Sequence, residues 1–186
     1  MTRQKTINSV NGVNVDALNG TVEAMQAEPD LGKTRFHVHN EWTGGAHNRG
    51  TITDFISAGE PIAHKHAFTV DADEPSVLGG QDEGANPVEH MLNSLAACLT
   101  NSLICHAAAK GIEIKHLECD VQGDIDLNGF LGLSSDVRKG YKNITVKFKV
   151  DSDEQNREKL LRLAKFSPVF DTISNGTSVD VDIEEV

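Results

Sequence analysis

Apolar residues crowd most densely between Met91 and Ala109, where almost every position around a helix would be hydrophobic. A helix apolar nearly all round must be buried on most of its sides. Its start is well marked: Asn86 is a good N-cap, Pro87 suits the first helical position, and Glu89 follows three residues after the cap, as a capping box requires. The stretch Glu83 to Lys110 predicts about 24 residues of helix, or ~36 Å. A single thiol, Cys98, sits near its middle.

The pattern elsewhere is shorter in range. Asn14 to Glu28 places Val15, Leu18, Val22 and Met25 along one side of a short helix that Pro29 ends. Three strand-like segments follow: Lys33 to Trp42, Gly50 to Ile56 and Ile62 to Val70, with turn-length gaps that suggest an antiparallel meander. Asp71 to Ala85 is an acidic, glycine-rich loop. After Gly111 the period returns to two, with Leu117, Cys119, Val121, Ile125 and Leu127 on one strand face and Ile144, Val146, Phe148 and Val150 on another. Asp151 to Phe166 predicts a second amphipathic helix that Ser167-Pro168 breaks, and Thr177 to Ile183 alternates Val179, Val181 and Ile183 against Asp180 and Asp182 as a last strand. Helix, three strands, long helix, two strands, helix, strand is an α+β fold with mainly antiparallel sheets packed around a long central helix. Two small sheets cannot cover every side of such a helix, so the pattern predicts an obligate homodimer in which two long helices pair.

Composition narrows the function classes. The formal net charge is −11 and the isoelectric point about 5.1. An acidic surface repels phosphate backbones and anionic headgroups, which argues against a nucleic-acid or membrane partner. Asn93, Ser94, Thr100, Asn101, Ser102 and His106 interrupt the long helix, so it does not read as a membrane span. The segment MTRQKTINSVNG has no hydrophobic core of a secretory signal. Three cysteines, an odd number without framework spacing, suggest free thiols in a reducing cytoplasm.

Cys98 has two readings. A cysteine in LAACLT is commonly a small buried hydrophobe. It lies too far from the helix start for the dipole to activate it, so reactivity calls for a cation from elsewhere in the fold. Ser94, Asn101 and Ser102, spaced four, three and four residues from it, could line a wet pocket beside the sulfur. Cys98 and Cys105 are about 10.5 Å apart along one helix, beyond disulfide reach.

The run DEPSVLGGQDEGANPVEHMLNSLAACLT resembles the glycine-rich loop and cysteine-bearing helix of the OsmC/Ohr family of thiol-dependent hydroperoxide reductases. The TGG of Thr43 to Gly45 and the closing SPVFDTISNGTSV of Ser167 to Val179 are similar to further motifs of that family, so the resemblance runs from about Phe36 to the C-terminus. It implies residues 1–30 as an N-terminal extension with a short helix, 31–186 as the OsmC-like domain, and an intertwined homodimer with active sites at the interface. It also implies a helix cysteine that becomes a sulfenic acid, a second cysteine that condenses with it, and an arginine after the TGG turn held by a glutamate. Cys98 matches the peroxidatic cysteine. Ser167 stands where the second cysteine would be, and a hydroxyl forms no disulfide. Ala46 follows TGG directly, so Arg49 is the nearest arginine for the activating role. Glu89, nine residues before Cys98, lies about 180° around the helix from it at about 100° per residue, which suits a capping glutamate better than a thiol partner.

The expectation is therefore a thiol-dependent hydroperoxide reductase without cofactor, with Cys98, Arg49 and Glu89 as the catalytic set and Ser94, Asn101, Ser102 and Ser167 around the pocket. Its cycle would use one cysteine, with an external thiol or dithiol as reductant. Cys119, facing a sheet core, reads as inert. The alternative on the same fold is a dimeric protein without turnover that binds an apolar small molecule, or a thiol sensor or sulfur carrier. Two H-x-H pairs, His37/His39 and His64/His66, each place two rings on one strand face, but no carboxylate or cysteine is tied to them by spacing, so no metal is expected. His90 and His106 read as interface residues. The loop GGQDEGANP is too acidic to cradle phosphate.

Overall fold

The computed structural model describes residues 8–185. In chain order the elements are β1 (Ser9–Val10), β2 (Val13–Asn14), α1 (Val15–Ala27), β3 (Thr34–Phe36), β4 (His39–Gly44), β5 (His47–Ser57) and β6 (Glu60–Ala72). Then come α2 (Pro87–Ala109), β7 (His116–Asp124), α3 (Leu127–Phe130), β8 (Asn143–Asp151), α4 (Arg157–Ala164) and α5 (Pro168–Asn175). The result is mixed α+β with antiparallel sheets, divided into two compact units. One holds Asn8 and Asn14–Met91; the other holds Ser9–Val13 and residues 92–185.

In the first unit α1 begins where Asn14 Oδ1 accepts the Ala17 amide at 3.0 Å, which satisfies one of the donors a helix start leaves open. The sheet is built on β5. Along one edge β5 pairs with β3 and β4, along the other with β6, all antiparallel. The β4–β5 turn is Gly45-Ala46, and Gly44 before it and Gly45 are both at positive φ, a region that costs an L side chain strain. That register sets Arg49 directly opposite Asp71.

The second unit is organised on α2, which runs 23 residues. Leu95, Leu99, Leu103 and Ala107, each four residues apart, form one buried stripe against Ile112, Leu160, Leu163 and Ala164. Alternation in β7 and β8 turns Leu117, Val121, Ile144, Val146 and Phe148 onto that core, and Val169, Phe170 and Ile173 of α5 close it. The Asn11-Gly12 turn, with both residues at positive φ, is strapped to this unit. Asn11 donates Nδ2–H to the Ile112 carbonyl and accepts from the Ile114 amide, both at 2.9 Å.

Several expectations change. Lys33 to Trp42 holds two strands, β3 and β4, and Ile125 and Leu127 lie past the end of β7, Leu127 within α3. The last strand does not form: among the described residues, 177–185 pair with nothing, and Val179, Val181 and Ile183 stand in solvent. Alternation fixes how a strand would bury its side chains, but a strand also needs an edge to pair with. Ser167-Pro168 does end the preceding helix, yet it also opens a new one. Ser167 Oγ accepts the Phe170 amide at 3.1 Å and Pro168 fills the first position of α5. The helix predicted over Asp151 to Phe166 is regular only as α4, after a 3-10 turn at Glu154–Asn156.

Asp126 caps α3 and meets Lys142 Nζ at 2.8 Å. Chiefly through Lys142, then Asn128, its carboxyl is lowered from 3.8 to about 2. A carboxyl whose folded pKa lies below its ordinary value stabilises the fold above that ordinary value and loses the contribution as pH falls through the folded one. The denaturation midpoint should therefore decline between pH 3.8 and about 2. Asp126→Asn should flatten part of that decline, and chemical denaturation across this range checks it.

Candidate functional site

Cys98 lies on α2 and is partly buried. At about 100° per residue, Ser94, Cys98, Asn101 and Cys105 fall within about 60° of one another, roughly opposite the stripe of Leu95, Leu99 and Leu103. Ser94 and Asn101 are exposed; Ser102 and Cys105 are partly so. A helix apolar in sequence on most sides is thus two-sided in burial, with its thiol on the open side. Ser167 belongs elsewhere in role: it is 1% exposed and caps α5. Cys119, on β7, has its thiol pushed up by burial, offset in part by a hydrogen bond with Thr100. All three cysteines are free.

In the first unit Arg49 Nε donates to Asp71 Oδ1 at 2.7 Å. His47 Nε2 approaches the same oxygen at 3.3 Å. The other ring nitrogen of His47 lies 2.6 Å from Thr43 Oγ1, which also donates to the His47 carbonyl at 3.0 Å. The Arg49 hydrogen bond lowers the Asp71 carboxyl below the usual range, against the opposing effect of burial, and His47 adds a smaller pull. The same hydrogen bond raises the Arg49 guanidinium, so it stays cationic.

Glu89 is occupied as the capping box predicts. Its Oε2 accepts the Asn86 amide at 3.0 Å while Asn86 Oδ1 accepts the Val88 amide at 2.9 Å. The loop before the helix folds over Asp73, a buried carboxylate that accepts the amides of Glu74 at 2.8 Å, Gln81 at 3.0 Å and Glu83 at 3.2 Å. Burial opposes the charge of Asp73, but those three donors hold its carboxyl below the usual range. Gly80 has to be glycine here: a Cβ would stand 1.7 Å from the Glu74 carbonyl oxygen. Asn86 Nδ2 reaches Glu74, tying loop and helix start together.

The histidine pairs part. His37 lies between strands, and His39 is in β4. His64 packs its ring on Phe55 at 5.3 Å and on Phe68 at 5.2 Å, while His66 meets Phe68 at 4.7 Å. Among the described residues no three His, Cys, Asp or Glu side chains are grouped to hold a metal ion. His90 Nε2 is 3.0 Å from the Asp71 carbonyl, and His106 packs on Phe166 at 4.7 Å. Among the described residues no helix is long and apolar enough to cross a membrane.

Sequence reasoning missed Asp71 and His47. The available signal was the His47-Asn48-Arg49 run just past a glycine turn; nothing local pointed to Asp71, which joins it through strand register.

Solved structures share the fold. An OsmC-like protein from Mycoplasma pneumoniae is 21% identical at a TM-score of 0.52, over 75% of this chain and 87% of that one. An organic hydroperoxide resistance protein from Legionella pneumophila is 17% identical at 0.52, over 76% and 91%. A protein assigned to osmotic stress induction and the detoxification response in Psychrobacter arcticus is 14% identical at 0.56, over 75% and 88%. At such identities the likeness speaks for the fold alone. No curated protein matches the chain. The family model for OsmC-like proteins matches residues 80–182, more than half of the chain and the whole of the cysteine helix, so the chain belongs to the OsmC-like family.

Proposed function

We propose that this protein reduces hydroperoxides with Cys98 as its nucleophile, in a cycle that uses one cysteine of the chain. The observation that carries the reading is the placement of Cys98 in the Ala-Ala-Cys motif of the family's helix, on the side turned away from the leucine stripe. The Legionella pneumophila relative, called an organic hydroperoxide resistance protein, favours the same chemistry. The thiolate attacks one peroxide oxygen, the O–O bond breaks, and the other oxygen leaves as an alcohol after taking a proton. Cys98 is then a sulfenic acid. An external dithiol displaces water from that sulfur to form a mixed disulfide, and its second thiol releases Cys98. In sum, one hydroperoxide and one dithiol give an alcohol, water and a disulfide. Ser167 cannot take the part of a second thiol. Such chemistry needs a cation near the sulfur; Ser94, Asn101 and Ser102 are the residues we propose for the pocket.

The assembly we propose is a homodimer in a reducing compartment such as the cytoplasm. Its support is the amount of apolar surface left open. Phe36 is 78% and Trp42 73% exposed on the first sheet, and the Val179, Val181, Ile183 alternation suits a strand added to a second copy. A sedimentation mass of one chain at micromolar concentration would rule the dimer out.

The test of the reaction is to mix reduced protein with an organic hydroperoxide and follow peroxide and dithiol together. Turnover predicts one dithiol oxidised per peroxide over many equivalents. A sensor would stop after one oxidant per chain, and a binding protein would consume none; either result ends the peroxidase reading.

A further inference from the structure

We propose that the loop between β7 and β8, residues 125–142, docks the protein on an anionic lipid surface by seating its apolar side chains among the headgroups. The inference does not depend on Cys98 or on any reaction. The β7–β8 register ends at the pair Asp124 and Asn143, so the whole of 125–142 caps that end of the two strands. Phe130, Leu131 and Leu133 are each more than half exposed there, and Leu127 is exposed beside them. A loose chain would explain such exposure, but this loop is tightly built. Asp126 accepts the Asn128 amide at 3.1 Å, and the Asn128 carbonyl accepts the amides of Leu133 at 2.9 Å and Ser134 at 3.3 Å. Gly129 is buried so close to the neighbouring backbone that a Cβ would stand 2.4 Å from the Arg138 carbonyl oxygen. At the base, Lys142 donates Nζ–H to Asp126 and its amide to the Asp124 carbonyl, both at 2.8 Å. The backbone therefore holds the apolar side chains outward, and a patch of that kind marks a contact surface.

The charge beside the patch selects the partner. The chain carries a formal net charge of −11, yet within 127–142 Arg138, Lys139 and Lys142 are set against one acid, Asp136. Lys142 is engaged with Asp126. Arg138 and Lys139 stand exposed and, among the described residues, in no ion pair. Exposed Phe and Leu flanked by cations match a bilayer interface, where apolar groups reach below the headgroups and each Lys or Arg is drawn to anionic lipid. That attraction acts within a Debye length, ~8 Å at physiological salt. The acidic residues elsewhere on the chain, which oppose a phosphate surface on average, act mostly from beyond it. A protein partner fits less well. Four apolar side chains on one loop offer no groove and fall short of the ~800 Å² per partner that a stable interface takes.

The test is cosedimentation of the full chain with vesicles of phosphatidylcholine alone and of phosphatidylcholine mixed with phosphatidylglycerol. Binding should be about tenfold tighter to the mixture, since each cation near an anionic surface adds to it. The double variant Phe130→Ser/Leu133→Ser should weaken binding to the mixture about tenfold or more, through loss of apolar burial. Arg138→Gln/Lys139→Gln should abolish the preference for the anionic lipid. All four side chains are exposed, so the thermal midpoint should not move in either variant, which separates lost docking from lost folding. Phe130→Trp adds a readout at the loop itself: its fluorescence should shift to the blue on the mixed vesicles, over and above any change in the intact protein, whose tryptophan is Trp42. No binding of the intact protein to the mixed vesicles, or equal binding by the serine variant, overturns the proposal. A serine variant whose sole change is a lower sedimentation mass overturns it too, because the loop would then be a contact between copies of the chain.

Discussion

Cys98→Ser is expected to bring dithiol-dependent hydroperoxide consumption down to the rate of buffer, a fall on the order of 10³-fold or more for loss of a nucleophile. Serine is nearly isosteric, so the helix should keep its packing. What is lost is the sulfur nucleophile, the atom that can pass through a sulfenic acid. A trapping reagent for sulfenic acids should label the intact protein once per chain after one equivalent of hydroperoxide, and Cys98→Ser not at all. Cys119→Ala is the matched control. Its thiol is raised by burial and lies on β7 among core-facing positions, so turnover should survive that change. Full activity in Cys98→Ser, or label that disappears only in Cys119→Ala, would place the chemistry on another sulfur.

Much of the frame could be read from local pattern. Asn86, Pro87 and Glu89 announced the start of α2 with their side chains, and the structure shows both halves of the capping box in place. Period two in β7 and β8 turned Leu117, Val121, Ile144, Val146 and Phe148 inward because side-chain direction follows backbone geometry, whereas α2, expected to be buried on most sides, buries chiefly its leucine stripe. Ser167-Pro168 was legible but ambiguous: a serine followed by proline ends one helix and equally well caps the next.

What could not be read involves residues that meet across distance. Arg49 and Asp71 lie 22 positions apart. They become neighbours only once the register between β5 and β6 is fixed, and that register slips between Ile52 and Asp54. No spacing rule survives such a slip. Asp73 is similar: its acidic surroundings in sequence suggest a solvated loop, whereas three amides turn inward to bind it. The residues 177–183 fail for a third reason. Their alternation is genuine, but a strand also needs a paired neighbour, and among the described residues none pairs with 177–185.

Leu103→Ala should be the most damaging truncation in the second unit, at about 3–5 kcal/mol. Leu103 is 1% exposed and stands in the middle of the α2 stripe, with Leu99 and Ala107 a turn away on either side and Leu160 and Leu163 in the same cluster. Its neighbours come from two helices and the paired strands β7 and β8, so they cannot all close on the space that three missing carbons leave. The loss therefore combines transfer free energy with an unfilled cavity. Leu103 also floors a groove of 590 Å³ lined by Val146, Phe148, Val150, Leu160 and Leu161. Against a total stability of about 5–15 kcal/mol, such a change removes about a fifth or more of what holds a domain together. Thermal denaturation should show a fall of about 6–20 °C, at about 2–4 °C per kcal/mol for a domain of this size. Asn101→Ala, two positions away on the open side of the same helix, should cost less than about 0.5 kcal/mol. Equal losses in the two variants would mean that the leucine stripe is not the core of this unit.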